Sequence, residues 1–152
     1  MKKTLSLVFV IVLALSSFGI NTTAITEDEN TVYFEDGSYI VISEVTETVI
    51  ARASYTKGGT KSYTYYDSDG DAQWKATLDA QFTYTGSSAT CTSSKITYTV
   101  YNSSWKITEA TATKSGNKAT GDVTAKKYIL GIPFKTVEET ITITCSANGT
   151  LS

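Results

Sequence analysis

The sequence contains no histidine, only one proline and two cysteines, and no long apolar run after its first 24 residues. Without histidine, neither a Ser-His-Asp triad nor a histidine general base can be built. Two cysteines alone cannot form an ordinary closed zinc site. The formal net charge of −2 argues against a nucleic-acid partner, because phosphate neutralisation needs clustered lysine and arginine. These absences exclude the commonest catalytic and metal-binding classes, although hydrolysis by a pair of carboxylates stays open.

The first 24 residues have the layout of a secretory signal peptide. Lys2 and Lys3 precede an apolar run from Leu5 to Leu15, and Thr22-Thr23-Ala24 is a small-x-small cleavage site. The run is too short for a stop-transfer helix. We therefore predict a signal peptide over 1–24 and a single secreted domain over 25–152, released outside the cell with no membrane anchor after cleavage.

The remaining chain is rich in threonine, serine and tyrosine, which suit a β-sheet surface. Apolar and polar residues alternate strictly from Trp74 to Tyr84, which predicts a long strand with one buried face. Asp36-Gly37 predicts the turn of an N-terminal hairpin around residues 31–45. Lys57–Thr60 predicts a turn or flexible joint, because two glycines lie within it.

Further strands are predicted over 49–55, 61–66, 96–100 and 105–114, and over 119–128 paired with 135–145. Cys91 is out of phase with the strand that follows it, so a bulge near Ser93-Ser94 is needed if it faces inward. Glu138 and Glu139 are adjacent on a strand and face opposite sides, so one of them points inward or lies near an edge. Short strands without helical periodicity predict an all-β, antiparallel, immunoglobulin-like sandwich, with a small β-barrel as the alternative.

The two cysteines predict a disulfide bond between Cys91 and Cys145, because an even pair in an exported chain is typically oxidised. Closing that loop would stabilise the fold by roughly 4 kcal/mol. The alternative is two free buried thiols.

Two clusters are candidate sites. Asp67, Asp69 and Asp71 could bind calcium, which is the one candidate cofactor, through their carboxylate oxygens. The EF-hand spacing fails, however, and a simple Asp-Gly turn is the stronger interpretation. Tyr63, Tyr65 and Tyr66 could bind sugar rings, although Tyr66 faces away from the other two, and ordinary packing is the alternative.

Several stretches together resemble one group of proteins. They are Tyr33-Phe34-Glu35-Asp36-Gly37-Ser38-Tyr39, Tyr63-Thr64-Tyr65-Tyr66-Asp67-Ser68-Asp69-Gly70 with Trp74 after it, Phe82–Cys91, and Thr144-Cys145-Ser146-Ala147-Asn148-Gly149. The chain resembles small secreted proteins of Gram-positive, often gut-dwelling, bacteria. The resemblance covers most of 25–152 and implies export and a shared β fold. It carries no catalytic residue to this sequence.

The leading functional expectation is a secreted, non-enzymatic β-sandwich that binds an extracellular glycan, a wall polymer or a protein. The first alternative is a small carboxylate-dependent hydrolase. The second is a membrane-active secreted effector, because the strand from Trp74 to Tyr84 has the length and alternation of a membrane-spanning strand.

Overall fold

The computed structural model describes residues 25–28, 30–49 and 55–152, which form strands and turns. The strands are β1 Ile25–Asp28, β2 Thr31–Tyr33, β3 Tyr39–Ile42, β4 Thr46–Val49, β5 Thr56–Tyr66, β6 Ala72–Tyr84, β7 Ala89–Val100, β8 Trp105–Ser115, β9 Lys118–Ile129 and β10 Ile132–Thr144. The predicted signal peptide, and most of the strand predicted over 49–55, lie outside the described residues. Within the described ranges no helix is long and apolar enough to cross a bilayer.

The strands form two antiparallel sheets that do not close on each other. The larger sheet has the order β1-β2-β3-β5-β6-β7, and β4 pairs with the first part of β5 while β3 pairs with its last part. The smaller sheet has the order β10-β9-β8. The predicted antiparallel sandwich is therefore confirmed. Most of the paired strands are neighbours in sequence and are connected by hairpins. In this respect the chain differs from an immunoglobulin domain, whose strands have Greek-key connections.

The core lies between the sheets and is built by the alternation seen in the sequence. Trp74, Leu78 and Phe82 of β6 have no exposed surface, and Ile141 and Ile143 of β10 face them with none either. Burying each side chain of this size contributes about 1.5–3 kcal/mol. Polar residues between them face outward because successive side chains of a strand point to opposite faces.

A bulge in β7 brings Cys91 into this core. Gln81 lies opposite Ser93, but the next residue, Phe82, lies opposite Cys91, so Thr92 is the extra residue. One unpaired residue switches the sheet face to which the side chains on one side of the bulge point, so Cys91 faces the core. The bulge predicted near Ser93-Ser94 is thus confirmed, one residue earlier in the chain.

The prediction of a turn at Lys57–Thr60 was wrong, because these residues lie inside β5. A Cβ atom on Gly59 would come within 2.6 Å of Leu151 Cδ1 and 3.1 Å of Val45 Cγ1. A side chain there would clash with the packed core, since interiors leave few voids. Glycine is needed at this position for space and not for an unusual dihedral angle.

The predicted disulfide is absent from the structure. Cys91 and Cys145 are both free, buried thiols. Cys91 Sγ donates to the Ser93 carbonyl (3.3 Å) and Cys145 Sγ to the Ser146 carbonyl (3.4 Å), so each thiol has a hydrogen-bond acceptor on a neighbouring stretch of its own backbone. Burial raises the pKa of both thiols, which disfavours the reactive thiolate.

Candidate functional site

The three aspartates predicted as calcium ligands form the β5–β6 turn. Asp67 Oδ1 accepts the backbone N–H groups of Asp69 (3.2 Å) and Asp71 (2.9 Å). Its Oδ2 accepts Gln73 Nε2 at 2.7 Å, and Gly70 takes a φ of 87°. Both oxygens of Asp67 therefore hold the turn, as expected for an Asx-type turn. No cluster of three or more acidic, cysteine or histidine side chains suited to a metal ion occurs among the described residues.

Gln73 is a structural residue that the sequence pattern did not reveal. It is 2% exposed and is the extra residue of a second bulge, between the Tyr65–Trp74 and Tyr66–Ala72 pairs. Its amide donates to the β5–β6 turn, and its Oε1 accepts Asn102 Nδ2 of the β7–β8 turn at 2.8 Å. Because this buried amide has partners on both sides, it ties the two turns together at one end of the sandwich.

The three tyrosines predicted as a sugar platform are not brought together. Tyr65 is 2% exposed, and its ring stacks on Trp74 at 5.6 Å and meets Trp105 edge-on at 5.0 Å. Tyr63 is half-buried on the same side of β5. Tyr66 is on the outer face of the larger sheet. Tyr65 is thus a core residue with no ring face left for a ligand.

Tyr66 belongs to a row of three tyrosines on that outer face. Tyr33 lies opposite Tyr39, which lies opposite Tyr66, and their ring centroids are 5.3 and 5.0 Å apart. Tyr39 and Tyr66 are stacked with 10° between their ring planes, so they cover one face of each other, whereas Tyr33 is tilted by 38° from Tyr39. The row therefore differs from the sugar platform predicted from the sequence.

A groove crosses the same outer face beside Gly58. Because Gly58 has no side chain, the surface between β4 and β6 is depressed there, and the groove encloses about 260 Å³. Two cross-strand rows wall it, one running from Thr60 through Asp79 to Lys95 and the other from Gly58 through Gln81 to Ser93. We call this depression the outer-face groove. Its main lining residues are Thr48, Gly58, Thr60, Asp79, Gln81, Ser93 and Lys95.

The side chains of the outer-face groove offer both hydrogen-bond donors and acceptors. Asp79 lies directly opposite Lys95, yet neither belongs to the ion pairs found among the described residues. The hydrogen bond from Thr92 Oγ1 to Gln81 (3.1 Å) is accepted by the backbone carbonyl and does not involve the side-chain amide. A carboxylate, an ammonium group, an amide and several hydroxyls thus meet in one shallow space, which suits a ligand carrying many hydroxyl groups.

A second polar cluster, around Lys135, is closed by its own contacts. Lys135 Nζ donates to Asp36 Oδ2, to Ser38 Oγ (2.9 Å) and to Tyr65 Oη (2.7 Å). It also lies 5.3 Å from the ring centre of Phe34. Although burial opposes it, hydrogen bonding from Lys135 and Ser38 lowers the pKa of Asp36 to about 2. All three donor positions of the ammonium group are used, so the cluster joins β10 to the β2–β3 turn and leaves no open site.

Glu139 is the carboxylate that faces inward. It shares the inner side of β10 with Val137 and Ile141 and lies opposite Val123. Burial raises its pKa to about 7. Burial, with a smaller contribution from the Glu139 charge, also raises the pKa of Tyr63. The expectation that one of the two adjacent glutamates points inward is confirmed, and Glu138 is the exposed one.

No family model, curated protein sequence or solved structure matches the chain.

Proposed function

We propose that the chain is a secreted, non-enzymatic protein that binds an extracellular carbohydrate polymer in the outer-face groove. The observation that carries the proposal is the presence of Asp79 and Lys95 side by side in an open groove without an ion pair between them. Sugar hydroxyls both donate and accept hydrogen bonds. A facing acceptor and donor can therefore bind neighbouring hydroxyls of one ring, and bonds to charged groups are the stronger kind.

The polar surface extends beyond the groove. Along β5 the outward residues continue from Thr60 through Ser62 and Thr64 to Tyr66, a distance of about 20 Å at the usual rise of a strand. Ser62 Oγ and Thr77 Oγ1 lie 3.0 Å apart on this path. Such a line of hydroxyl groups, ending at the tyrosine row, favours a chain of several sugar units over a single sugar.

Binding is favoured over hydrolysis by the composition of the groove. Asp79 is the one carboxylate among its lining residues. Glycoside hydrolysis usually needs two carboxyl groups on either side of the scissile bond. The groove therefore supports carbohydrate binding better than it supports the carboxylate-dependent hydrolase.

Export is part of the proposal. It is supported by the signal-peptide layout of residues 1–24 and by the resemblance to small secreted proteins of Gram-positive bacteria. Outside the cell the accessible polymers include wall glycans and environmental polysaccharides, all of them rich in hydroxyl groups.

The test is a printed oligosaccharide array, followed by calorimetric titration of each sugar that binds. We expect Asp79→Asn to weaken binding about tenfold or more, since it removes a charged acceptor. Asp122→Asn is the matched control, because Asp122 is on the outer face of the smaller sheet, where its Oδ1 accepts Thr140 Oγ1. Equal affinities of the two variants, or no sugar bound by the unaltered protein, would refute the proposal.

A further inference from the structure

The tip of the β9–β10 hairpin exposes a group of large apolar side chains. Leu130 is 97% exposed, Ile132 68%, Phe134 67% and Ile129 47%. The other large exposed hydrophobic side chains of the described residues are tyrosines, which carry a polar group. Contiguous apolar surface of this kind usually marks an interaction site.

The backbone at the tip adds an independent observation. Leu130 has a φ of 51° and Gly131 a φ of 79°, so both central residues of this two-residue turn are in the left-handed region. Asparagine, aspartate and glycine favour that region, whereas a leucine is strained in it. The turn would form more readily with asparagine at position 130, so folding does not explain the leucine.

Lysines surround the base of the tip. Lys106 lies opposite Lys126, and Lys127 lies opposite Lys135. Asp36 neutralises Lys135, whereas Lys106, Lys126 and Lys127 belong to no ion pair among the described residues. We call these three residues the basic band. Like charges directly opposite each other disfavour a sheet, so the band also lacks an explanation in the fold.

The charge changes sign behind the basic band. Glu109 and Glu138 both lie opposite Thr124. Thr124 is on the same face of β9 as Lys126 and two residues further from the tip. The chain as a whole is acidic, with a formal net charge of −2. An anionic surface would thus attract the molecule tip first and repel the rest of it.

We propose that the β9–β10 hairpin tip inserts into the interface of a membrane containing anionic lipids, with the basic band at the level of the headgroups. From Lys127 to Leu130 the chain advances three residues, or about 10 Å, which matches the depth of about 5–10 Å to which interfacial apolar groups are buried. Tyr128, with Lys106 Nζ 5.2 Å from its ring centre, is the type of residue that occupies this boundary. A convex apolar tip with a basic base fits a lipid surface better than it fits a protein groove.

This docking adds a second site, independent of the carbohydrate groove. The groove lies on the outer face of the larger sheet and the tip belongs to the smaller one, so a docked molecule keeps its groove open to water. The inserted segment is too short to span the bilayer, since a spanning strand needs about ten residues. Vesicles should therefore keep their contents, which separates docking from pore formation.

The first test is binding of the full chain to phosphatidylcholine vesicles with and without about one third phosphatidylglycerol. We expect tighter binding to the anionic vesicles than to the neutral ones, and the difference should shrink with added salt. Leu130→Asn should lower the affinity about tenfold or more without lowering the melting temperature, because asparagine suits the turn. Each of Lys106→Gln, Lys126→Gln and Lys127→Gln should lower it roughly fivefold. Residues 1–24 are the same in every variant, so differences in vesicle affinity between the variants measure the contribution of the substituted residues.

The second test locates the tip itself. In the Leu130→Trp variant, tryptophan emission should shift to shorter wavelength on anionic vesicles and be quenched by brominated acyl chains. Trp74 and Trp105 are already buried and contribute a constant background. Tyr55→Trp is the control. Tyr55 is exposed and contacts Tyr84, the last residue of β6, and it is not part of the β9–β10 hairpin tip. Unchanged emission, equal binding by Leu130→Asn, or no vesicle binding would overturn the proposal. Self-association that is lost in Leu130→Asn, without vesicle binding, would instead identify a protein-docking surface.

Discussion

Glu139 gives the sharpest prediction about stability. Its carboxyl group lies on the inner side of β10 with Val137 and Ile141, and besides burial its charge contributes to the raised pKa of Tyr63 of β5. Among the described residues no cation pairs with it. Burial raises its pKa from 4.5 to about 7, because a low-dielectric surrounding disfavours the charged form.

The sign of the pH effect follows from this shift. Between the two pKa values the folded chain holds a proton that the unfolded chain has lost, so folding is favoured by low pH. The contribution is fully present below pH 4.5 and is lost as the pH rises through about 7. The shift corresponds to about 3 kcal/mol at most, and since water still reaches part of the side chain, we expect about 2 kcal/mol.

Glu139→Gln should therefore unfold at the same urea concentration as the unaltered protein near about pH 4, and be more stable by about 2 kcal/mol near about pH 8. Glu138→Gln, on the exposed side of the same strand, should change stability little at either pH. The reasoning fails if Glu139→Gln keeps the full pH dependence of the unaltered protein, or if Glu138→Gln gains as much.

Three further predictions concern other parts of the structure. Lys135→Met leaves the buried hydroxyl of Tyr65 without its 2.7 Å donor and should cost about 2–4 kcal/mol in urea unfolding; an equal loss in Lys126→Met would contradict this. Gly149→Ala meets a left-handed φ of 83° and the Tyr84 ring at 2.6 Å, and should lower stability by more than about 2 kcal/mol. Gly86→Ala has a similar φ of 88° but open space, so its melting temperature should fall less. Both cysteines should react with iodoacetamide in denaturant without prior reduction, since both are free thiols; labelling only after reduction would show that they are bonded.

The strands could be predicted because the alternation of this sequence is strict. From Trp74 to Tyr84 each apolar residue but the last is buried, and the phase error at Cys91 was enough to predict a bulge. The Asp36-Gly37 turn and the turn at Asp67–Asp71 follow from residues that tolerate the required dihedral angles. In each case the local sequence and the tertiary packing favour the same structure.

The features that were missed depend on which surfaces come together. Gly58-Gly59 resembles a turn in sequence. Gly59, however, lies within a strand and leaves space for the side chain of Leu151, which is more than ninety residues away in the chain. The outer-face groove consists of polar residues that look like any solvent-facing strand positions. The β6–β7 register places Asp79 opposite Lys95, and β4 and β5 add the other lining residues. The predicted strands 119–128 and 135–145 left 129–134 as their connection, whereas β9 and β10 continue to Ile129 and from Ile132. The exposed apolar side chains of this hairpin tip were not predicted.

The most direct test of the carbohydrate site is to map backbone amide chemical shifts of the ¹⁵N-labelled protein during titration with a sugar that it binds on the array. We predict that the largest changes fall on the outer face of the larger sheet, at Thr60, Asp79, Gln81 and Lys95, and spread along β5 towards Tyr66 as the oligosaccharide is lengthened. Changes confined to the smaller sheet or to the β9–β10 hairpin tip would contradict the proposed site.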